Sequence, residues 1–269
     1  IMRLAMEYAK MFDIIIISHC EDHSLAQDGV MHLGTVSTIL GLKGIPAAAE
    51  EVMVARDLIL AEATGAKLHI AHVSTKGSVD LIRSAKKRGV KVTCEVTPHH
   101  LTLTDEAVHG YSTSTKVNPP LRSWEHVSAL RAGLADGTID CIATDHAPHT
   151  KEEKDVEYNY APFGMVGLET AVPLIIELVR SNELDINRAV QALTQNPAGI
   201  LGLNRGSLGV GQVADLTVID PELELILKPE DLDSKGKNSP FLGKALKGFP
   251  VLTMVGGRVV MRDRRISAK

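Results

Sequence analysis

At 269 residues, with 44% hydrophobic and 23% charged side chains, the chain has room for one barrel or two ordinary domains of a soluble globular kind. A net charge of −4 and 3% aromatics argue against a nucleic-acid or membrane-surface partner, and no apolar run nears the ~20 residues of a membrane helix. Its three cysteines, Cys20, Cys94 and Cys141, form no C-x-x-C pair, which predicts a reduced, cytoplasmic protein.

The chain opens at Ile1 on an amphipathic pattern, with Ile1, Leu4, Ala5, Tyr8, Ala9, Met11 and Phe12 on one helical stripe. Such a stripe needs a surface to pack on, so the chain reads as the C-terminal part of a longer polypeptide. A strand is expected over Asp13 to Ser18, followed by a polar, glycine-bearing stretch to Gly44. Pro46 suits the first position of a helix, with Glu50 and Glu51 in its early turns and Gly65 beyond its end. A second strand covers Lys67 to Val73. Ser78 is placed to cap a helix running to Arg88, and a third strand covers Val90 to Val96. Ser123 caps a helix over Trp124 to Ala135, and the fourth strand is Asp140 to Thr144. Strand–helix alternation at this spacing indicates a parallel sheet with crossover helices, an α/β protein. Helices follow over Leu168 to Arg180 and over Ile186 to Gln195, the second halted before Asn196-Pro197. The tail changes to period two at Ala214 to Asp220. Lys228 to Asn238 reads as a charged surface loop, and Val251–Val255, Gly256-Gly257 and Arg258–Met261 read as a hairpin.

Three apolar runs end on a possible metal ligand: Ile14 to Ser18 on His19, Leu68 to Ala71 on His72, and Cys141 to Thr144 on Asp145. In a (β/α)8 barrel the interior is packed and chemistry sits at the C-terminal strand ends, so His, His and Asp delivered there suit a divalent metal. The two imidazoles should therefore lie on one side of the sheet, within reach of one ion. Cys20 is read as a small buried neighbour, with zinc ligation as the alternative. His69, three positions before His72, should face the helices. Asp145 can ligate a metal and take a proton from a bound water, and His149, four residues on, is placed to donate to a substrate oxygen. His146 is read as supporting or surface. Paired prolines after Asn118 set its amide in a rigid turn, where it could read a ureide or imide edge or simply cap the turn. The adjacent His99 and His100 should point to opposite sides of a continuing strand. The Lys151–Tyr160 loop could close over the site or be ordinary surface.

Together these phrases resemble the dihydroorotases of the amidohydrolase superfamily, in their long bacterial form. The matching segments are Ser18-His19-Cys20-Glu21-Asp22, His72-Val73-Ser74, Val117-Asn118-Pro119-Pro120-Leu121-Arg122, Thr144-Asp145-His146-Ala147-Pro148-His149 and Ala161 to Glu169. In hydantoinases and allantoinases the Asn-Pro-Pro and Asp-His-Ala-Pro-His positions usually read differently. The resemblance implies the C-terminal half of a metal-dependent-hydrolase TIM barrel over residues 1–205, strands five to eight, and part of a small β-sandwich over 206–269. It implies Zn2+ held by His19, His72 and Asp145, with Asp145 also the general base. Asn118, His149 and the backbone at Phe163 and Gly164 would contact the small-molecule substrate, dihydroorotate or N-carbamoyl-L-aspartate. The family's first-strand His-x-His-x-Arg motif is not in the chain. A homo-oligomer is expected, as is an association with aspartate carbamoyltransferase, in which a non-catalytic scaffold is the rival to an enzyme.

Overall fold

A computed structural model describes residues 1–267 and resolves them into two compact units. The first comprises Ile1–Gly167 with Ser234–Pro240, the second Leu168–Asp233 with the chain from Phe241. Among the described residues no helix is long and apolar enough to cross a membrane.

The first unit begins with α1 (Met2–Met11) and β1 (Ile16–Ser18), then α2 (His23–Ala26), β2 (Met31–His32), α3 (Thr35–Leu40), β3 (Gly44–Ile45) and α4 (Ala48–Thr64). It continues through β4 (Leu68–Ile70), α5 (Lys76–Lys87), β5 (Val92–Val96), α6 (Pro98–Thr102), α7 (Trp124–Ala135), β6 (Cys141–Ile142) and α8 (Lys151–Lys154). The four expected strands pair in parallel in the order β1-β4-β5-β6, with Ile17 beside His69 beside Thr93, and Glu95 beside Cys141. Each is shorter than expected: β1 and β5 start two or more residues late, whereas β4 and β6 leave the ladder at Ile70 and Ile142, before His72 and Asp145 are reached.

The apolar stripe of α1 is turned outward. Met6 and Ala9 are the buried residues, whereas Leu4, Tyr8, Met11 and Phe12 are exposed, and Tyr8 and Phe12 pack on each other edge to face. Met6 and Ala9 recur at a helical spacing of three, and Met6 lies outside the expected stripe, so the buried face is rotated from the one expected. The polar, glycine-bearing stretch after β1 holds the two short helices α2 and α3 and strand β2, which pairs in parallel with β3 at its end. Pro46 precedes its helix instead of opening it, and α4 starts at Ala48. Thr75, not Ser78, caps α5, its hydroxyl accepting the Ser78 amide at 3.2 Å. A helix begins one turn earlier when the residue three positions upstream can take that bond. Thr97 likewise caps α6, with Pro98 in the first turn, so His99 and His100 sit on a buried helix instead of on a strand.

The second unit contains α9 (Leu168–Arg180), α10 (Ile186–Leu193), α11 (Gln195–Ile200), β7 (Leu216–Ile226), β8 (Ala245–Val255), β9 (Arg258–Arg262) and β10 (Arg265–Ile266). The Asn196-Pro197 pair does not stop the helical path. The chain breaks at Thr194, and Pro197 falls in the first turn of α11, where its missing N–H costs nothing. The strands form an antiparallel sheet in the order β10-β9-β8-β7, and β8 turns into β9 through Gly256-Gly257 as the pattern predicts. Leu174, Ile175, Leu178, Leu227 and Phe249 are buried. Gly248 lets β8 approach α9 closely, since a Cβ there would lie 2.5 Å from Ile176 Cγ2.

Candidate active site

His19 and His72 leave adjacent parallel strands, β1 and β4, and their rings meet edge to face with centroids 4.8 Å apart. His19 Nδ1 lies 3.1 Å from His72 Nε2. His72 reaches this position from a left-handed backbone, φ 33°, as does the exposed Asp145, φ 47°. Such conformations cost energy in a non-glycine residue and concentrate where a side chain must be aimed. Partial burial, then the neighbouring His72, holds the His19 imidazole below its ordinary range. A neutral ring is the form that ligates a metal.

The pair fits two ligands of one ion. Nitrogens at ~2.0–2.1 Å from a tetrahedral zinc are about 3.4 Å from each other, close to the spacing seen. The Asp145 carboxylate does not complete a three-ligand cluster with them. Among the described residues, the group of three potential ligands within 4.8 Å of one another is His69, Glu95 and Cys141.

Glu21, two residues past His19, links this pair to the Asn118 turn. Its Oε2 accepts from Asn118 Nδ2 at 2.6 Å and lies 3.6 Å from His19 Nε2, while Oε1 lies 3.0 Å from His23 Nδ1. Asn118 Oδ1 is buried and has no protein partner. The turn itself is held from behind, where His100 Nε2 donates to the Pro119 carbonyl at 2.9 Å. Burial pushes His100 down to about 4, so the ring stays neutral and keeps that geometry.

The loop after His72 is fixed by a buried acid. Glu50, in the first turn of α4, accepts the amides of Ser74 and Thr75 and both their hydroxyls. Arg122 is 2% exposed and donates to Ser74 Oγ and the Ile45 carbonyl, 3.9 Å from Glu50 Oε2. A buried carboxylate is tolerable because each oxygen is bonded and a cation lies beside it.

A second cluster gathers the other expected contact residues. His149 Nε2 lies 2.9 Å from the Phe163 carbonyl, and its Nδ1 lies 3.2 Å from Glu153. Gly164 has φ 131°, and a Cβ on it would lie 2.6 Å from Ala147 Cβ and 3.1 Å from His149 Nε2, so glycine is required. The buried Asn238 clamps the two segments. Its Oδ1 accepts the His149 amide at 2.9 Å, and its Nδ2 donates to the Ala147 and Gly164 carbonyls at 3.0 and 3.1 Å. The stretch expected as a charged surface loop thus ends in a buried structural residue. His146 takes the supporting role expected of it, its Nδ1 accepting the Gly167 amide at 3.1 Å. The Lys151–Tyr160 segment is anchored at two points. Tyr158 is buried with Val30, Met31, Val36 and Val108, and Lys154 Nζ donates to the Thr113 and Pro162 carbonyls.

His69 faces away from the helices, contrary to expectation. Ser18 Oγ donates to Asp57 of α4, which marks the helix side of the sheet; Ile17, and with it His69 and Thr93, point the other way. The strand ends at Ile70, so alternation counted back from His72 assigns the wrong face. Glu21, Asn238 and Glu95 went unrecognised in the sequence. Glu21 carried a weak signal by lying two residues after His19; Asn238, 89 residues from His149, carried none.

The amidohydrolase family model matches residues 1–260. The chain is 65% identical over 267 residues to a dihydroorotase from Pelotomaculum thermopropionicum and 59% identical over 260 residues to one from Geobacter sp.. It covers 62% and 61% of those relatives, so it spans about three fifths of their length. It is also similar to the L-hydantoinase (dihydropyrimidinase) from Arthrobacter aurescens, with TM-score 0.90 and 29% identity over 99% of this chain and 61% of that one. A D-hydantoinase from Thermus sp. gives 0.86 and 27% over 100% and 61%. The parallel sheet with its crossover helices is the α/β arrangement of that TIM-barrel fold, and proteins of this kind are typically metal-dependent. With a family model spanning nearly all of it, the chain belongs to the amidohydrolase family.

Proposed function

We propose that the chain carries the C-terminal part of a dihydroorotase site, for reversible hydrolysis of the cyclic amide of dihydroorotate to N-carbamoyl-L-aspartate. The observation that carries this reading is the 3.1 Å approach of His19 Nδ1 to His72 Nε2 at two adjacent strand ends. Relatives at 53–65% identity favour dihydroorotate as substrate. The 29% identical L-hydantoinase, with its near-complete structural match, supports another cyclic amidase as the second reading.

His19 and His72 would hold Zn2+, with Asp145 as the carboxylate ligand. When bound, zinc supplies a polarised carbonyl and an acidified water. Asp145, exposed at the end of β6, takes the proton of the attacking water and returns it to the departing ring nitrogen. Asn118 already spends its Nδ2 on Glu21, and its unpaired Oδ1 is left to accept a substrate N–H. His149 and the Phe163-Gly164 backbone form one bonded unit that receives the substrate's polar edge. The division into a barrel part, 1–205, and a sandwich part, 206–269, belongs to the same reading. So do a cytoplasmic location, a homo-oligomer and an aspartate carbamoyltransferase partner. The exposed Ile14, Ile17, Leu4 and Met11 support an association surface.

The test is ring opening of dihydroorotate against hydantoin, by the chain alone and by the chain supplemented with the unmatched part of the 65% identical relative. Preferential turnover of dihydroorotate supports the proposal. Preference for hydantoin favours the second reading, and no turnover by either preparation, with zinc bound, favours the scaffold.

A further inference from the structure

The inner walls of parallel barrels are filled by branched aliphatic side chains. The face of this sheet opposite its helices departs from that rule. His69 on β4, Thr93 and Glu95 on β5 and Cys141 on β6 all lie on the same face as Ile17, at four positions where aliphatic residues would pack. His69 and Cys141 are each 3% exposed, and the Glu95 side chain is 20% exposed. One nitrogen, one carboxylate oxygen and the Cys141 sulfur lie within 4.8 Å of one another.

The hydrogen bonds around His69 prepare it as a ligand. Nδ1 is 2.8 Å from Thr93 Oγ1, and Nε2 is 3.2 Å from Glu95 Oε2. When Nδ1–H donates to the threonine hydroxyl, Nε2 presents a lone pair to an anionic oxygen, an arrangement that a cation between them satisfies. Two ligand atoms on one tetrahedral zinc are separated by about 3.4 Å, near the spacing seen. The other carboxylate oxygen, Oε1, lies 3.4 Å from the His72 amide, which leaves Oε2 for the ion. Imidazole, carboxylate and thiolate together select a zinc-class ion over magnesium or calcium, which take oxygen ligands. The thiol gives its proton to solvent as the metal–sulfur bond forms.

We propose that His69, Glu95 and Cys141 form a metal site for a thiophilic divalent ion, separate from the His19–His72 pair and not required by the cyclic-amidase reading. Cobalt(II) is the probe, because thiolate ligation gives a near-ultraviolet charge-transfer band that nitrogen and oxygen ligands do not. The chelator-stripped chain, titrated with cobalt chloride, should develop that band. Cys141→Ser should abolish it, while Cys20→Ser and His72→Ala should retain it. Glu95→Gln should keep the band but require at least about tenfold more cobalt, the cost that loss of even an outer-sphere partner carries. If Cys141→Ser fails to fold by circular dichroism, the cobalt requirement of Glu95→Gln decides between site and no site. Absence of a thiolate band in the parent chain, its loss with Cys20→Ser instead, or an unchanged cobalt requirement in Glu95→Gln would overturn the site.

Discussion

In the parallel sheet the strands run two to five residues and then stop, whereas β7 and β8 of the antiparallel sheet run eleven residues each. The short strands release the chain where chemistry is needed. His72 and Asp145 follow β4 and β6 in left-handed conformations that the ladder could not accommodate. The long strands serve pairing, and the reversal from β8 into β9 is assigned to two glycines. Regular hydrogen bonding and side-chain aiming thus occupy different stretches of backbone. What holds the irregular stretches is buried polar chemistry, in Glu50, Arg122 and Asn238.

The largest expected effect is chemical. On the proposed dihydroorotase reading, Asp145→Asn in the full-length enzyme should lower turnover by about 10²–10⁴-fold, because an amide cannot accept the proton. Asp145 is exposed, so stability should change by no more than about 0.5 kcal/mol. Steady-state kinetics beside thermal unfolding check both parts. Near-normal turnover would remove Asp145 as the base, and a large stability loss would show that the strand end is held by this side chain.

Next comes the clamp. Asn238→Ala leaves the His149 amide and the Ala147 and Gly164 carbonyls without their partner. The expected cost is about 1–3 kcal/mol, with faster hydrogen exchange at the His149 amide. Unchanged exchange there would show that the loops hold themselves, and the contrast between the two sheets would lose its physical basis.

Acid probes the same buried polar layer. His32 is pushed down to about 4 by burial, then by Arg122 and His126, from an ordinary value of 6.5. The unfolded chain takes up a proton near 6.5 that the folded chain refuses until about 4. Stability should therefore fall as pH drops through that window and be fully present above it. Denaturation midpoints at pH 7 and pH 5 read the effect, and His32→Asn should reduce it, leaving the share of His99 and His100, which burial also holds low. An equal slope in that variant would assign the acid sensitivity elsewhere.

The sequence displayed the architecture through its strand ends and the hairpin through Gly256-Gly257. Both signals are local, since an apolar run ending in His or Asp lies within six residues. The His19–His72 approach was legible for the same reason. The face of His69 was not, because alternation holds only inside the ladder and the ladder ends at Ile70. Nor was the buried face of α1, because periodicity groups side chains on a face without saying what covers it: Met6, outside the stripe, is buried, while Leu4, Tyr8, Met11 and Phe12 on it are exposed. Asn238 was hidden by its company. The lysines and aspartate around it signal solvent, and only the fold brings its amide against a loop 89 residues away. Glu95 reads as the polar member of an alternating strand, and its partner His69 became visible only once register put both on one face.

The smallest expected effect tests the other side of the comparison. Gly256 and Gly257 have φ of 56° and 80°, the geometry of a two-residue turn matched to strand twist. A Cβ on Gly256 would meet nothing within 4 Å, so any penalty for Gly256→Ala comes from the backbone alone. Left-handed backbone costs a side chain ~1–2 kcal/mol, and the less mobile unfolded chain returns ~0.4–1 of that. The net loss should be about 1 kcal/mol, read from the denaturation midpoint. Asparagine tolerates this conformation, so Gly256→Asn should be near neutral while keeping the amide bond to Asp215 Oδ1. Equal losses in the two variants would mean that side-chain packing, not turn geometry, fixes this hairpin. The regular sheet would then depend on specific contacts as much as the site does.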